Sequence, residues 1–154
     1  MKIKVSDYIA NKIASLGIKK VPVFQGGAVM QMIDAIGENK KIKYYCPLHE
    51  QSLAMQVDAQ ARISGFAAGF VTSGPGATNL LTGVACSYYD SIPSIYFTGQ
   101  VGQFHLKGNK KVRQVGFQES DIVSIFKSIT KFSIQITKPE DTRYIIEKAI
   151  YIAL

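Results

Sequence analysis

Apolar positions along the chain follow two rhythms that take turns. Ile9, Ile13 and Leu16 recur at helical spacing after Ser6, which is placed to cap the helix, and Gly17 stands where a glycine stop belongs. Residues 18–24, with Val21, Val23 and Phe24, read as a short buried strand despite Pro22. After the Gln25-Gly26-Gly27 turn, Val29, Met30, Ile33 and Ile36 mark a second helix ending at Gly37. Residues 42–46 form the next strand, closed by Pro47. From His49 or Glu50 to residue 63 a helix presents Leu53, Ala54, Val57 and Ala61 on one face, with Gly65 behind it.

The alternation continues. A strand at 66–71 runs into Thr72-Ser73-Gly74-Pro75-Gly76, a helix spans about 77–89, and an apolar strand follows at 92–98. Residues 100–115 are irregular. A short helix at 119–126 and a strand at 132–136 precede a last helix, whose first turn holds Pro139, Glu140 and Asp141. Its buried face is Ile145, Ile146, Ala149, Ile150 and Ala153. Continuous apolar strands separated by helices predict an α/β fold, a parallel sheet with helices on both faces.

Composition narrows the function. At 154 residues and 47% hydrophobic, the chain makes one globular domain with a sizeable core, and no apolar run reaches the length of a membrane span. The basic start at Met1-Lys2 is followed by no apolar stretch, so no secretory signal is expected and a cytoplasmic setting is. Cys46 and Cys86 lie far apart and the histidines number two, which argues against a disulfide framework or a metal site. The net charge of +7 comes mostly from scattered lysines; the one cluster is Lys107, Lys110, Lys111 and Arg113. That cluster reads as a solvated loop or as a phosphate-binding patch, and no nucleic-acid partner is expected.

Three stretches can carry chemistry. Ser73-Gly74-Pro75-Gly76-Ala77-Thr78-Asn79 joins a strand to a helix, where main-chain N–H groups point at a ligand. It lacks the Gly-Lys-Ser/Thr of a P-loop, the third glycine of a dinucleotide fingerprint and the flanks of a nucleophile elbow, so a ligand-free tight turn stays open beside a binding turn. In Pro47-Leu48-His49-Glu50-Gln51 the glutamate either serves a site or simply stabilises a helix N-terminus. The acids of Gly116-Phe117-Gln118-Glu119-Ser120-Asp121 fit a first helical turn equally well. His49 and His105 show neither triad nor metal spacing.

Taken in order, these stretches do more. Together with Gly26-Gly27-Ala28, Ala61-Arg62-x-x-Gly65, Asp90-Ser91-Ile92-Pro93 and Thr98-Gly99-Gln100-Val101, they resemble the N-terminal, pyrimidine-binding domain of thiamine-diphosphate enzymes of the acetolactate synthase-like group. The resemblance covers nearly the whole chain. It implies a three-layer, flavodoxin-like parallel sheet. It also implies that Glu50 bonds to N1′ of the coenzyme's aminopyrimidine and shares a proton with it. The 4′-amino group can then take the proton from thiazolium C2, and the coenzyme joins or cleaves 2-keto acids such as pyruvate.

By the same resemblance Phe24 and Gln25 line the cofactor pocket, Thr72, Pro75 and Asn79 shape the pyrimidine slot, and Phe117 and Gln118 face the keto acid. Several letters depart from the family pattern: Val23-Phe24-Gln25 before the glycines, Ala59-Gln60 in the helix after Glu50, and Gly102 after Gly-Gln-Val. The stretch up to Phe117 is also longer and more basic. These changes bear on substrate identity. No Gly-Asp-Gly…Asn-Asn segment for Mg²⁺ and diphosphate is present, and no flavin domain. The expectation is therefore a domain over 1–154 truncated before its last strand, inactive alone, with no metal of its own. It would pair with a diphosphate-binding domain of the same or a partner chain in a homodimer or tetramer, with FAD possible in the full protein. The alternatives are the pyrimidine-binding subunit of a split 2-keto acid decarboxylase and a non-catalytic anion-binding module.

Overall fold

The computed structural model describes residues 3–154; the basic start at Met1-Lys2 lies outside them. Four parallel strands and the helices between them alternate from the first element onward. They are α1 (Val5–Ser15), β1 (Lys20–Pro22), α2 (Met30–Glu38), β2 (Lys43–Tyr45), α3 (Glu50–Ser64), β3 (Ala67–Val71), α4 (Pro75–Thr78), α5 (Leu81–Tyr89) and β4 (Ser94–Thr98). The short α6 (Ile122–Phe126) and the long α7 (Thr142–Ala153) follow. β1 pairs with β2 and β3 with β4, all in parallel, and a parallel bridge between Val23 and Phe70 joins the two pairs into the order β2-β1-β3-β4. The chain is an α/β domain.

β3 lies at the centre and every residue in it is buried. Alternate side chains leave a strand on opposite faces, and here they divide the core in two. Ala68 and Phe70 pack with α1, α2 and α7 through Ile13, Ile36 and Ile146. Ala67 and Val71 pack with α3, α4 and α5 through Leu53, Val57, Ala77 and Val84. Phe70 also stacks on Phe97 of β4, with ring centroids 4.8 Å apart. Burial of side chains this size contributes roughly 1.5–3 kcal/mol each, so the layers hold through apolar contact on both faces. Three layers follow directly.

The ends of elements differ from the sequence expectation where side chains compete. Ser6 does not cap α1; Lys4 is the capping residue, without a side-chain bond, and the helix starts at Val5, which packs against the core. Gly37 does not stop α2, which runs on to Glu38; Asn39 ends it by accepting the N–H of Lys41 on its side-chain oxygen at 3.0 Å. Residues 77–89 are not one helix: helical structure begins at Pro75 and breaks at Asn79 and Leu80. Residues 132–136 are not a strand. They form no ladder among the described residues, and both they and β4 line a cavity of about 440 Å³ together with α7.

Candidate functional site

The C-terminal ends of β1 and β3 and the start of α3 converge on one place. α3 begins because His49, extended at φ −160° and ψ 147°, caps it: Nδ1 accepts the N–H of Gln51 at 3.1 Å. The histidine without a motif thus has a local task. Glu50 is then the first residue of a fifteen-residue helix, where the N-terminal partial charge favours an acid. It is 7% exposed. A carboxylate this deeply placed is costly unless hydrogen-bonded. Asn79 provides the bond, its Nδ2 donating to Oε2 of Glu50 at 2.9 Å.

The other oxygen, Oε1, accepts no hydrogen bond from the described residues. Among those residues the only fully enclosed side-chain oxygen or nitrogen lacking a partner is Thr142 Oγ1, so Oε1 keeps contact with solvent. One side of the carboxylate is tied and the other is free. A Cβ added at Gly76 would lie 3.1 Å from Oε1 and 2.6 Å from Thr72 Cγ2. Any side chain at 76 would therefore crowd the space between the threonine and the free oxygen.

Thr72 directly follows β3 and is the hub of the turn. Its Oγ1 accepts the N–H of Ala28 at 3.4 Å, and Gly26 lies so near that a Cβ there would fall 2.4 Å from Thr72 Cβ. Gly74 holds φ +57°, the left-handed region that glycine adopts without strain, and a Cβ there would meet Gln118 O at 2.3 Å. Gln118 itself stands at φ +57°, costly for a residue with a side chain and held by the Gln114 side chain, which accepts its N–H at 2.8 Å.

The expected site residues thus fall into two groups. Glu50 and Asn79 bond directly, Thr72 and Glu50 both flank Gly76, and Gln118 reaches the same turn through its main chain. Phe24 is half-buried against the α3 side of the core, bonds to Phe70 O through its N–H at 2.9 Å, and leads to Gly26 beside Thr72. Gln25 and Pro75 are exposed, and Phe117 is 79% exposed; none of the three makes a side-chain hydrogen bond among the described residues. Gly76 stands where the glycine turn is expected to let backbone approach closely, and Gly26 joins it as a position with no room for a Cβ beside Thr72. Their signal was present as glycines at strand ends, but spacing does not say which neighbour they clear.

The region after β4 holds a second organised glutamate. Glu119 accepts the N–H of Lys107 at 2.7 Å and that of Val115 at 3.1 Å, and these bonds, led by the one from Lys107, hold its carboxyl below the usual range. It belongs to no first helical turn. α6 begins only at Ile122, capped by Asp121, which accepts from the Ser124 N–H at 3.0 Å and from its hydroxyl at 2.6 Å; the Ser124 side chain leads in holding Asp121 below the carboxylate range. No group of three or more His, Cys, Asp or Glu suited to a metal ion occurs among the described residues. No helix among them is long and apolar enough to cross a membrane.

Comparison with known proteins identifies the family. The family described as thiamine pyrophosphate enzyme, N-terminal TPP binding domain, matches residues 3–125. The acetolactate synthase large subunit of Lactococcus lactis is 36% identical over 149 residues, covering 96% of this chain and 25% of the relative. The isozyme 3 large subunit of Escherichia coli is 34% identical over 149 residues, with the same shares. The chloroplastic acetolactate synthase of Arabidopsis thaliana is 34% identical over 151 residues, 97% of this chain and 22% of the relative. The chain spans about a quarter of the length of these relatives.

Proposed function

Since the chain belongs to the N-terminal, thiamine pyrophosphate-binding domain family of thiamine pyrophosphate enzymes, we propose that it receives the coenzyme's aminopyrimidine at Glu50 and prepares it for reaction with a 2-keto acid. Thiamine pyrophosphate, also called thiamine diphosphate, supplies the nucleophilic carbon for making or breaking a bond beside a keto group. The observation that carries the reading is the division of labour on Glu50. Oε2 is occupied by Asn79, and Oε1 is left beside the bare α-carbon of Gly76.

The residues fit a flat ring bearing a basic nitrogen. With the coenzyme bound, Glu50 would hold a proton at Oε1 toward that nitrogen, and the bond from Asn79 would fix the carboxyl plane. Gly76 lets the Thr72 side chain close up beside Glu50, and Thr72 would set the depth of the slot. Phe24 and Gln25 extend the wall on the β1 side, Pro75 starts the helix that presents Asn79, and Phe117 with Gln118 faces the incoming keto acid. The surroundings of Glu50 exclude most water, so the hydrogen bond at Oε1 is worth more than it would be on an open surface.

In the reading proposed, the full protein is an acetolactate synthase-like carboligase or decarboxylase. Mg²⁺ and the diphosphate would be held by another domain, in the same or a partner chain of a dimer or tetramer, and FAD, where used, by a third domain. The test is binding of thiamine diphosphate and of an analogue with carbon in place of ring N1′, measured calorimetrically in the full protein. Wild type should prefer the coenzyme by tenfold or more, about 1.4 kcal/mol, within reach of one charge-assisted hydrogen bond. Glu50→Ala, which removes the donor altogether, should bind the two alike. Equal binding of both by wild type contradicts the assignment.

A further inference from the structure

Three contacts join α3 to the stretch from Asn79 through α5, and all three link residues 29 apart: Glu50 with Asn79, Ala54 with Gly83, and Asp58 with Ser87. Residues four apart recur on one face of a helix, so the two helices lie side by side with one face of each in register. Asn79 and Leu80 hold right-handed helical angles, φ −64° and −71°, so the backbone passes from Asn79 into α5 without leaving the helical region. What fixes α5 along α3 therefore also fixes Asn79 before Glu50.

The middle contact is the tightest. A Cβ on Gly83 would strike the Ala54 Cβ and stand 2.9 Å from the Ala54 carbonyl carbon and 3.0 Å from Met55 N, main-chain atoms with no rotamer to yield. Glycine is a poor helix former, and this one sits buried inside α5, where alanine would favour the helix itself. Its use is the close approach. The third contact is polar and enclosed. Asp58 and Ser87 are buried; the Ser87 hydroxyl donates to Asp58 Oδ2 at 2.9 Å, and Arg62 Nε donates to Asp58 Oδ1 at 2.7 Å. Arg62 also pairs with Asp90, the residue that ends α5. A buried carboxylate with both oxygens taken resists sliding of one helix past the other, because a shift leaves a charge without its donors.

We infer that Gly83 and the Asp58–Ser87 pair are positioning residues for the acid–base work of Glu50: they set the spacing and register of α5 against α3, so that Asn79 Nδ2 meets Oε2 and Oε1 is left for the coenzyme. Only the chemistry at Oε1 rests on the reading proposed for Glu50; the geometry is tested without coenzyme.

A crystal structure of the full protein carrying Gly83→Ala should show Asn79 Nδ2 moved from 2.9 Å to beyond about 3.5 Å from Glu50 Oε2, outside hydrogen-bond range. With thiamine diphosphate saturating, deuterium exchange at thiazolium C2 should fall about tenfold or more in Gly83→Ala, as expected when a reacting group is misplaced by about an ångström. Ser87→Ala, which removes one donor to Asp58, should lower it by a smaller factor. Adding Ala54→Gly to Gly83→Ala clears the contact and should return the rate to within about threefold of wild type. In an Asn79→Ala background Gly83→Ala should cost no more than about twofold further, since it acts through Asn79. Ile13→Ala, which opens the core on the opposite face of the sheet, should lower the thermal midpoint yet leave the saturated rate within about twofold, separating position from mere stability. Should Gly83→Ala not fold, the Ser87→Ala rate and its cycle with Asn79→Ala decide the matter. An Asn79 that keeps its bond in Gly83→Ala, or losses that multiply in the double variants, overturns the proposal. So does a displaced Asn79 with unchanged exchange while Glu50→Gln still loses it. Where Glu50→Gln keeps wild-type exchange as well, the helix register stands and the reading of Glu50 fails.

Discussion

Glu50 opens a long helix, is almost wholly buried and keeps one carboxylate oxygen without a protein partner, whereas Glu119 lies partly exposed with both oxygens bonded to main-chain N–H groups. The residue type is the same and the work is opposite. Around Glu50, regular elements and bare glycine carbons bring groups close and leave one acceptor open. Around Glu119 no regular element exists, so the carboxylate itself becomes the clasp that shapes the loop. A free lone pair in a dry, rigid place is ready for a ligand; a saturated carboxylate is structural.

The sharpest way to break the first region is Gly74→Val. The new side chain would meet the main-chain oxygen of Gln118 and be forced to a positive φ, costing about 2–4 kcal/mol together. Thermal unfolding should show a marked fall in midpoint, with coenzyme binding lost alongside. Next comes Asn79→Ala, which strips Glu50 of its one protein donor and should cost roughly 1–3 kcal/mol. Denaturant unfolding checks the stability, and Asn79→Asp, placing like charges together, should do worse than alanine.

In the second region the effects are smaller and local. Glu119→Gln should speed amide hydrogen exchange at Lys107 and Val115 while leaving the exchange of β3 unchanged. Acid should do the same. The carboxyl of Glu119 is held below its ordinary value near 4.5, so its contribution is complete above that pH and is lost as pH falls through the lowered value. Loop protection in wild type, taken against the intrinsic exchange rate at each pH, should therefore fall toward that of Glu119→Gln as acidity increases, and the variant's protection should show little of this pH dependence.

How much of this was legible in the letters depended on distance along the chain. Hydrophobic periodicity located β3, α3 and α7 because their cores are made of near neighbours, and Gly17 and Gly65 mark true left-handed stops at φ +81° and +82°. Ser6 and Gly37 misled because a half-buried Val5 packed on the core and the Asn39 side chain set those helix ends instead. The bond from Asn79 to Glu50 joins residues 29 apart, so the fit of that pair is a product of the fold. Motif order brought both residues into the reading only through family resemblance. Glu119 looked like a first-turn acid because nothing local shows that Lys107, twelve residues back, needs an acceptor. Residues 132–136 have a strand's composition, but a strand also needs an edge within bonding distance.

The central claim is that the free oxygen of Glu50 manages the proton on the coenzyme's ring nitrogen. Deuterium exchange at thiazolium C2 of bound thiamine diphosphate, followed by NMR after acid quench in the full protein, tests it most directly. With coenzyme saturating in both proteins, Glu50→Gln should slow exchange by about 10²–10⁴-fold, the usual worth of a positioned acid–base group. Exchange within a few-fold of wild type, with coenzyme demonstrably bound, would contradict the account.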